Sequence, residues 1–281
     1  MKNLGYYNGE VGLIDEMRVP MNDRAFYFGD GVYDAVMCRN NIPYLLSEHI
    51  DRFYRNCDRL AIKIKMKKHE LFDLICTLVK KVDANEKFVY FHMSRGNAQR
   101  AHELTLDKGS LCIMIMPREI EDLDATMSAV LLPDVRYEMC DIKTLNLLPN
   151  VLASQIASRA GADEAILHRS NIITEGTHCN ISILKNGRLI TAPESRHILP
   201  GVTRAHLIKI AQRNEIIVEQ REYTSSELLD ADEIIVTSSS KLLRAVNSVN
   251  GKSVGGKDAE TLNLLKKELF GAYYGATTPR A

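Results

Sequence analysis

In the first part of the chain, hydrophobic and polar positions follow the strand period in some segments and the helix period in others. Asn-Gly at 8–9 lies between two short extended segments and predicts a β-hairpin. Apolar residues recur at helical spacing over 47–62, where Ser47 is a candidate N-cap, and again over 69–82. Strands are predicted for the apolar segments 31–38, 87–96 and 110–117.

The second part of the chain shows the same mixture of helices and hairpins. A second Asn-Gly pair, at 186–187, divides the apolar segment 181–193 into a predicted hairpin. Helices are predicted over 147–161, where Gly161 is a candidate C-cap, over 201–216 and over 258–275. Further strands are predicted at 127–135, 164–168 and 233–240.

The polar, acidic segment 118–125 separates the two parts and is interpreted as an interdomain linker. The length of 281 residues also favours two domains over one. We therefore predict an N-terminal α/β domain over 1–117 and a C-terminal domain over 126–281. Because helices and strands mix with several hairpins, the pattern favours an α+β fold over a doubly wound parallel sheet.

Composition and charge narrow the class of protein further. Lys and Arg number 36, as do Asp and Glu, so the zero net charge indicates no nucleic acid or acidic membrane surface as partner. The six cysteines lack CxxC pairs and predict reduced core residues rather than disulfides or a metal site. The opening segment has no signal-peptide core and no apolar run spans a bilayer, so we expect a cytoplasmic protein.

Lys143 lies in an apolar stretch, between Ile142 on one side and Leu145, Leu147 and Leu148 on the other. A buried ammonium is costly unless it is paired or loses its proton. Either the side chain reaches out to solvent from an element boundary, or the site requires an amine that can lose its proton. The stretch by itself leaves both interpretations open.

Three polar segments of the second part carry candidate binding groups. Glu175 stands at the mouth of a loop in ITEGTHCN, Thr203 begins a predicted helix in LPGVTR, and Ser238 and Ser239 end a predicted strand in VTSSS. A helix N-terminus beside a hydroxyl, or consecutive hydroxyls at a strand end, can hold a phosphate. Taken singly, Glu175 could be a solvated loop charge, Thr203 a helix cap and the serines a turn.

Together with Lys143, these groups match one ligand. A lysine that loses its proton forms a Schiff base with an aldehyde. A carboxylate that faces a pyridine nitrogen keeps the ring protonated and able to accept electrons. Since pyridoxal 5′-phosphate combines an aldehyde, a pyridine nitrogen and a phosphate, it is the predicted cofactor.

Two segments of the first part add candidate substrate contacts. Arg100 and His102 are two residues apart in a polar loop and point the same way if the loop is extended. Such a pair can grip a carboxylate, although a basic surface loop fits the pattern equally well. Tyr33, on a predicted strand, and Arg52, on a predicted helix, fit either ligand contacts or ordinary structural positions.

The sequence as a whole resembles the fold-type IV pyridoxal-phosphate enzymes, which include branched-chain aminotransferases, D-amino acid aminotransferases and aminodeoxychorismate lyases. From about residue 5 to about residue 250, segments occur in the family's order: FGDGVYDAV, HIDRFY, RGNAQRAHE, CDIKTLNLLPNVLA, ITEGTHCN, LPGVTR and VTSSS. The RAH at 100–102 is most similar to the D-amino acid aminotransferases. There, the Arg and His come from the partner subunit of a homodimer and bind the substrate carboxylate with a tyrosine that matches Tyr33.

The resemblance implies two domains, each a mixed sheet or barrel with flanking helices, the C-terminal one binding the cofactor. It implies a ping-pong exchange of an amino group between a D-amino acid (D-alanine, D-glutamate or D-aspartate) and a 2-oxo acid such as 2-oxoglutarate or pyruvate. Lys143 would be the Schiff-base lysine and Glu175 the partner of the pyridine nitrogen. The implied cofactor contacts also include Arg52, Leu199, Val202, Thr203, Ser238 and Ser239, and the substrate contacts are Tyr33, Arg100 and His102.

The chain departs from the family pattern at a few positions. His178 and Cys179 stand where relatives often have two small residues. After VTSSS, many relatives have an acidic residue and then a Thr-Pro pair, whereas this chain reads KLLRAV, which contains Lys241 and Arg244. The added positive charge leads to the hypothesis that acidic substrates are favoured. A branched-chain L-aminotransferase and an aminodeoxychorismate lyase are the alternatives on the same scaffold. The RAH segment argues against the first, whereas the second keeps the lysine and the glutamate, so Lys143 and Glu175 do not exclude it.

Overall fold

The computed structural model describes residues 1–103, 108–120 and 122–279. Its contacts divide the chain into two compact units. The first comprises Met1–Ile120, Ile142–Asn146 and Tyr274–Ala281, and the second comprises Glu121–Asp141 and Leu147–Tyr273. No described helix is both long and apolar enough to cross a membrane.

The described part of the first unit consists of a six-stranded sheet and helices. Its strands are β1 (Leu4–Tyr7), β2 (Glu10–Gly12), β3 (Gly31–Arg39), β4 (Ile42–Pro43), β5 (Glu86–Ser94) and β6 (Ser110–Pro117). Its helices are α1 (Arg24–Phe28), α2 (Leu46–Arg59) and α3 (Lys68–Val79). The strand order is β2-β1-β6-β5-β3-β4, and these strands pair antiparallel throughout.

Short connections explain two antiparallel pairs of this sheet, β1 with β2 and β3 with β4, because each connection returns the chain alongside the strand that it has just left. One of them is the predicted Asn-Gly hairpin, in which Asn8 and Gly9 have φ values of 48° and 107°. The predicted cap of α2 is wrong, because Leu45 is the N-cap and Ser47 lies inside the first turn.

The core of the first unit lies between one face of the sheet and the helices α2 and α3. Val89 and Phe91 of β5 are fully buried, whereas Tyr90 between them is partly exposed, as a strand with one covered face requires. The ring of Phe91 lies 5.0 Å from that of Phe53 on α2, and Ile75 of α3 belongs to the same cluster.

The short segment 142–146 belongs to the first unit because its backbone pairs with β3. The Tyr33 N–H donates to the Lys143 carbonyl at 2.9 Å, and the Leu145 N–H donates to the Gly31 carbonyl at 3.0 Å. A Cβ at position 31 would lie 2.7 Å from the Leu145 side chain, so this close approach requires glycine. The predicted C-terminal domain, 126–281, includes this segment, whereas its contacts place it in the first unit.

The second unit is a larger mixed sheet with helices. Its strands are β7 (Thr126–Pro133), β8 (Glu164–Arg169), β9 (Ile172–Gly176), β10 (Asn180–Lys185), β11 (Arg188–Thr191), β12 (Ile217–Gln220), β13 (Glu233–Ser238), β14 (Leu242–Val249) and β15 (Lys252–Ser253). Its helices are α4 (Leu148–Arg159), α5 (Val202–Arg213), α6 (Ser225–Leu229) and α7 (Ala259–Ala276). The strand order is β12-β11-β10-β13-β14-β7-β8-β9, with β15 paired to β14.

The mixed character of this sheet comes from parallel pairs of β14 with β7, β7 with β8, and β11 with β12. Its central strands are almost continuously apolar; Ile183 of β10 and Ile234 of β13 are fully buried, as in a sheet covered on both faces. The predicted Asn-Gly hairpin connects β10 to β11. The α+β fold predicted from the sequence is confirmed.

Candidate active site

In the first unit, Lys143 lies against the aromatic ring of Tyr33. The side chain of Lys143 is half-buried, and its Nζ is 4.3 Å from the centroid of the Tyr33 ring. An ammonium group over an aromatic face is attracted by the ring's electrons. The Tyr33 ring in turn stacks on Tyr90, with centroids 5.4 Å apart. The structure therefore brings together two residues predicted for the site, and Lys143 does not simply extend into solvent.

Arg52 lies in a buried network of charges in the first unit. Its Nε and Nη2 donate to the carboxylate of Asp34 at 2.8 and 2.7 Å, and His49 Nδ1 lies 2.7 Å from the same carboxylate. Burial acts to raise the pKa of Asp34, but the charges of Arg52 and His49 outweigh it and hold that pKa well below its usual range. Asp34 therefore fixes the direction of the Arg52 guanidinium.

Arg100 and His102, also in the first unit, share a contact with Phe28. The guanidinium carbon of Arg100 lies 5.2 Å from the centroid of the Phe28 ring, and the His102 ring lies 5.1 Å from it. Both side chains are exposed. The expectation that the two residues lie on one side of the loop agrees with this shared contact.

In the second unit, Glu175 is buried near the end of β9. Its Oε2 accepts from the side-chain amide of Asn180 and from the backbone N–H of Leu199, each at 3.0 Å. Its Oε1 accepts from Nη1 of Arg136. A buried carboxylate requires such partners, so the alternative of a solvated loop charge is wrong.

Arg136 and Asp134 are polar residues that the sequence analysis did not single out. Nε and Nη2 of Arg136 donate to Asp134 at 3.0 and 2.8 Å, and Nη2 also donates to the carbonyl of His197 at 3.0 Å. Burial acts to raise the pKa of Asp134, but hydrogen bonds from Arg136 and its charge keep that pKa well below its usual range. The sequence does show an Asp-Val-Arg at the end of an apolar strand, but its contact with Glu175 spans 39 residues.

Asn180 connects Glu175 to the start of α5. The amide nitrogen that binds Glu175 also donates to the carbonyl of Leu199 at 2.9 Å. A Cβ on Gly201 would lie 1.9 Å from Oδ1 of Asn180, so only glycine fits there. Gly201 is the N-cap and supplies no side-chain cap. The backbone N–H groups at the start of this twelve-residue helix therefore suit an anion, and the buried Val202 and Thr203 are its first residues.

The two predicted serines lie at the same end of the second sheet as Asn180. Asn180 of β10 pairs with Thr237 of β13, and Ser238 is the last residue of β13. The Ser238 hydroxyl accepts from the backbone N–H of Lys241 at 3.2 Å, which is a turn contact. The turn interpretation thus describes the local geometry, while the strand pairing brings Ser238 and Ser239 to the edge that carries Asn180.

The unusual His178, Cys179 and Lys241 surround the buried carboxylate of Glu164. Cys179 Sγ donates to Glu164 at 3.3 Å, whereas His178 Nδ1 and Lys241 Nζ lie 3.6 and 3.7 Å from it. The charge of Glu164 therefore offsets that of Lys241. This pairing weakens the sequence argument that Lys241 favours acidic substrates.

Arg244 is fully buried and does not supply the exposed positive charge that the same argument required. Its guanidinium carbon lies 5.6 Å from the centroid of the Phe270 ring on α7, and Nη1 donates to the carbonyl of Leu243 at 3.0 Å. Arg244 is therefore part of the packing between β14 and α7.

Comparisons with known proteins identify the family. The sequence pattern described as amino-transferase class IV matches residues 31–249. The D-alanine aminotransferase of Bacillus licheniformis is 34% identical over 253 residues, which cover 89% of each chain. That of Staphylococcus haemolyticus is 32% identical over 272 residues, 95% of this chain and 96% of the relative.

A solved structure shows the same fold. The branched-chain amino acid aminotransferase of Escherichia coli superimposes with a TM-score of 0.89 at 21% identity, over 100% of this chain and 97% of that one. The chain belongs to the class IV aminotransferases. It is an aminotransferase of fold type IV, and its cofactor is pyridoxal 5′-phosphate.

The described residues fit this cofactor. A buried carboxylate whose oxygens are both held by donors, as in Glu175, suits a protonated pyridine nitrogen. The uncapped start of α5 suits the phosphate, and Lys143 offers a half-buried primary amine for the aldehyde.

Proposed function

We propose that the chain is a D-amino acid aminotransferase, which transfers the amino group of D-alanine and related D-amino acids to 2-oxoglutarate, pyruvate or a similar 2-oxo acid. The observation that carries the proposal is the pair Arg100 and His102, both exposed and both in contact with Phe28. An Arg beside a His provides charged donors for a substrate carboxylate. The relatives named D-alanine aminotransferase, at 32–34% identity, support the same assignment.

Lys143 and Glu175 are proposed as the catalytic residues. When bound, the cofactor supplies an aldehyde that a lysine amine attacks and a ring that accepts electrons from the substrate. Lys143 provides that amine and then carries a proton from and to the substrate Cα; the contact of its Nζ with Tyr33 limits where the amine can lie. Glu175 holds the proton at the pyridine nitrogen.

The remaining cofactor contacts are proposed around the phosphate and the ring. Val202 and Thr203 offer the N–H groups of the first turn of α5, and Ser239, which follows the last residue of β13, offers a hydroxyl. Arg52 is proposed as a phosphate ligand whose direction Asp34 fixes. Leu199 is assigned to the face of the ring and Ser238 to the neighbourhood of the reacting carbon.

Tyr33, Arg100 and His102 are proposed to bind the substrate carboxylate, with Arg100 and His102 serving the site of a partner subunit. The clamp decides which enantiomer presents its Cα–H to the lysine, and its composition supports the D-enantiomer. The exposed positions of Arg100 and His102 suit a role in the site of a second subunit.

Helix α4 supports the homodimer. One of its faces carries four large apolar side chains with exposures of 50–65%, namely Leu148, Val151, Leu152 and Ile156. Residues at this spacing form one stripe of a helix. Complete burial of a fully exposed side chain of this kind is favourable by about 1.5–3 kcal/mol, and these four are exposed by about half, so a second copy of the chain would gain roughly half that value for each one that it covers. We also propose a cytoplasmic location, which the free thiols of all six cysteines support.

The test of the function is the visible spectrum of the cofactor-loaded protein before and after addition of D-alanine or, separately, L-leucine. Bleaching by D-alanine and not by L-leucine is expected. Bleaching by L-leucine alone would overturn the proposal in favour of a branched-chain enzyme. An unchanged band with both would overturn the D-alanine assignment and point to the lyase.

A matched pair of arginine variants tests the carboxylate clamp. Arg100→Ala is expected to raise the KM for D-alanine by roughly tenfold or more, because a charge-assisted contact to the carboxylate is lost. Arg118→Ala removes a similar arginine, stacked 5.1 Å from the Phe88 ring centroid, and should leave KM unchanged. Equal KM values in the two variants would contradict the clamp.

A further inference from the structure

Glu175 ends a row of buried charges that continues through Arg136 to Asp134. We infer that Arg136 and Asp134 are positioning residues that set both the direction and the net charge of the carboxylate presented to the pyridine nitrogen. The inference rests on the proposed role of Glu175. It adds two residues that make no contact with the reacting atoms themselves.

The direction of the carboxylate is set by donors on both of its oxygens. Arg136 occupies Oε1, while Asn180 and the Leu199 N–H occupy Oε2 at 3.0 Å each. Arg136 cannot swing away easily, because its other nitrogens are held by Asp134 at 2.8–3.0 Å and by the His197 carbonyl at 3.0 Å. Rotation of Glu175 would therefore break several charge-assisted hydrogen bonds at once.

The net charge depends on Asp134. Glu175 and Arg136 alone form a neutral pair, which would do little to favour a protonated pyridine nitrogen. Asp134 adds a second negative charge and restores the negative character of the row. The side chain of Asp134 is fully buried and that of Arg136 is nearly so, so water screens these charges weakly.

Among the other titratable groups around the row, the partly exposed Arg169 offsets part of this negative charge but is screened by water more than the buried Asp134 and Arg136 are, whereas the cysteines and Arg204 leave the balance in place. Burial raises the pKa of the Cys140 thiol to about 11 and raises that of Cys179 well above its usual value, so both stay neutral. Arg204 is buried and has the carboxylate of Glu194 at 3.6 Å. Arg169 brings a further positive charge next to Asp134, because its Nε lies 3.3 Å from the carboxylate. The Arg169 side chain is partly exposed.

Asp134 and Arg169 allow the charge to be changed in opposite directions. Asp134→Asn keeps the side chain's shape but leaves the charge of Arg136 without compensation, so the pKa of the pyridine nitrogen should fall by about one unit. Arg169→Gln removes a positive charge next to Asp134, so the same pKa should rise. The rise should be the smaller change, because the Arg169 side chain is 25% exposed and is screened by water.

The experiment uses the protein loaded with pyridoxal phosphate labelled with nitrogen-15 at the ring. The nitrogen-15 resonance distinguishes protonated from unprotonated pyridine, and its pH midpoint is measured for wild type and each variant. Asp230→Asn is the matched control, since Asp230 is an exposed carboxylate of the same unit, paired with Lys185 at 2.8 Å. Its midpoint should equal that of the wild type.

The inference would be overturned if the pH midpoint of the pyridine nitrogen in Asp134→Asn equalled the midpoint in Asp230→Asn or in the wild type. If Asp134→Asn does not fold, the pH midpoint in Arg169→Gln decides. A midpoint that is lower than in the wild type, or equal to it, would overturn the inference. The wild type's spectral response to D-alanine separates the two claims. If D-alanine does not bleach the wild-type spectrum, the proposed function fails. If D-alanine bleaches the spectrum but the pH midpoints of the variants do not move, only the inference fails.

Discussion

The strongest stability prediction concerns Asp34, the carboxylate at the centre of the buried network in the first unit. Replacing it in Asp34→Asn removes the negative charge that the buried guanidinium of Arg52 contacts. The contacts affected are two hydrogen bonds from Arg52, at 2.8 and 2.7 Å, and the hydrogen bond with Nδ1 of His49 at 2.7 Å. Asparagine keeps one oxygen acceptor, so part of the network survives.

Breaking a fully buried ion pair by removing one partner costs about 3–5 kcal/mol, and the retained acceptor places Asp34→Asn near the lower value. The pKa of Asp34 is lower in the folded protein than the ordinary value of about 3.9. The contribution of Asp34 to the free energy of unfolding is therefore fully present when the pH is above that ordinary pKa. It is lost as the pH falls toward the lower pKa that Asp34 has in the folded protein. The difference between wild type and variant should persist at neutral pH and shrink in acid.

The assay is guanidinium unfolding followed by far-UV circular dichroism, since the chain has no tryptophan for fluorescence. Asp51→Asn on α2, the helix that carries Arg52, is the control, because Asp51 and its partner Lys68 are both exposed. That surface pair should contribute less than about 1 kcal/mol. A loss in Asp34→Asn no larger than in Asp51→Asn would refute the reasoning that burial makes this ion pair costly to break.

Three further variants test the site and the interface. Lys143→Ala should fold with an unchanged circular dichroism spectrum and show no transamination of D-alanine; measurable turnover would remove Lys143 from its role. Gly201→Ala places a Cβ 1.9 Å from Asn180 Oδ1 and should weaken cofactor binding in equilibrium dialysis by roughly tenfold, whereas Gly271→Ala, in open space, should not. Leu152→Glu should shift the protein to a monomer in analytical ultracentrifugation, whereas Ile217→Glu, exposed on β12, should leave a dimer.

The parts of the fold that the sequence predicts well are those specified by neighbouring residues. Each Asn-Gly turn fixes its hairpin, because both residues accept positive φ values. The period of apolar residues locates α2, α3, α5 and α7 within a few residues. The start of α2 was misplaced because Leu45 adopts the left-handed conformation with a φ of 55°, which is uncommon for leucine.

The candidate site was predictable only where one segment carried its own chemistry. Lys143, Glu175 and Thr203 stand in recognisable local surroundings, whereas Asp34 and Arg136 gain their meaning from partners elsewhere in the chain. Arg136 meets Glu175 across 39 residues and Asp34 meets Arg52 across 18. Neither pairing has a periodicity or spacing that would reveal it, because strand pairing and helix packing create it.

The path of the chain between the two units has an evolutionary consequence. Residues 142–146 belong to the first unit, although residues on either side of them belong to the second. A recombination event within 118–125 that exchanged the N-terminal segment between relatives would join Lys143 to a foreign β3. The backbone bonds of Lys143 and Leu145 to Tyr33 and Gly31 would then have to be re-established with unmatched neighbours. Lys143 and β3 should therefore be inherited together, and the two units should diverge as one lineage rather than as exchangeable modules.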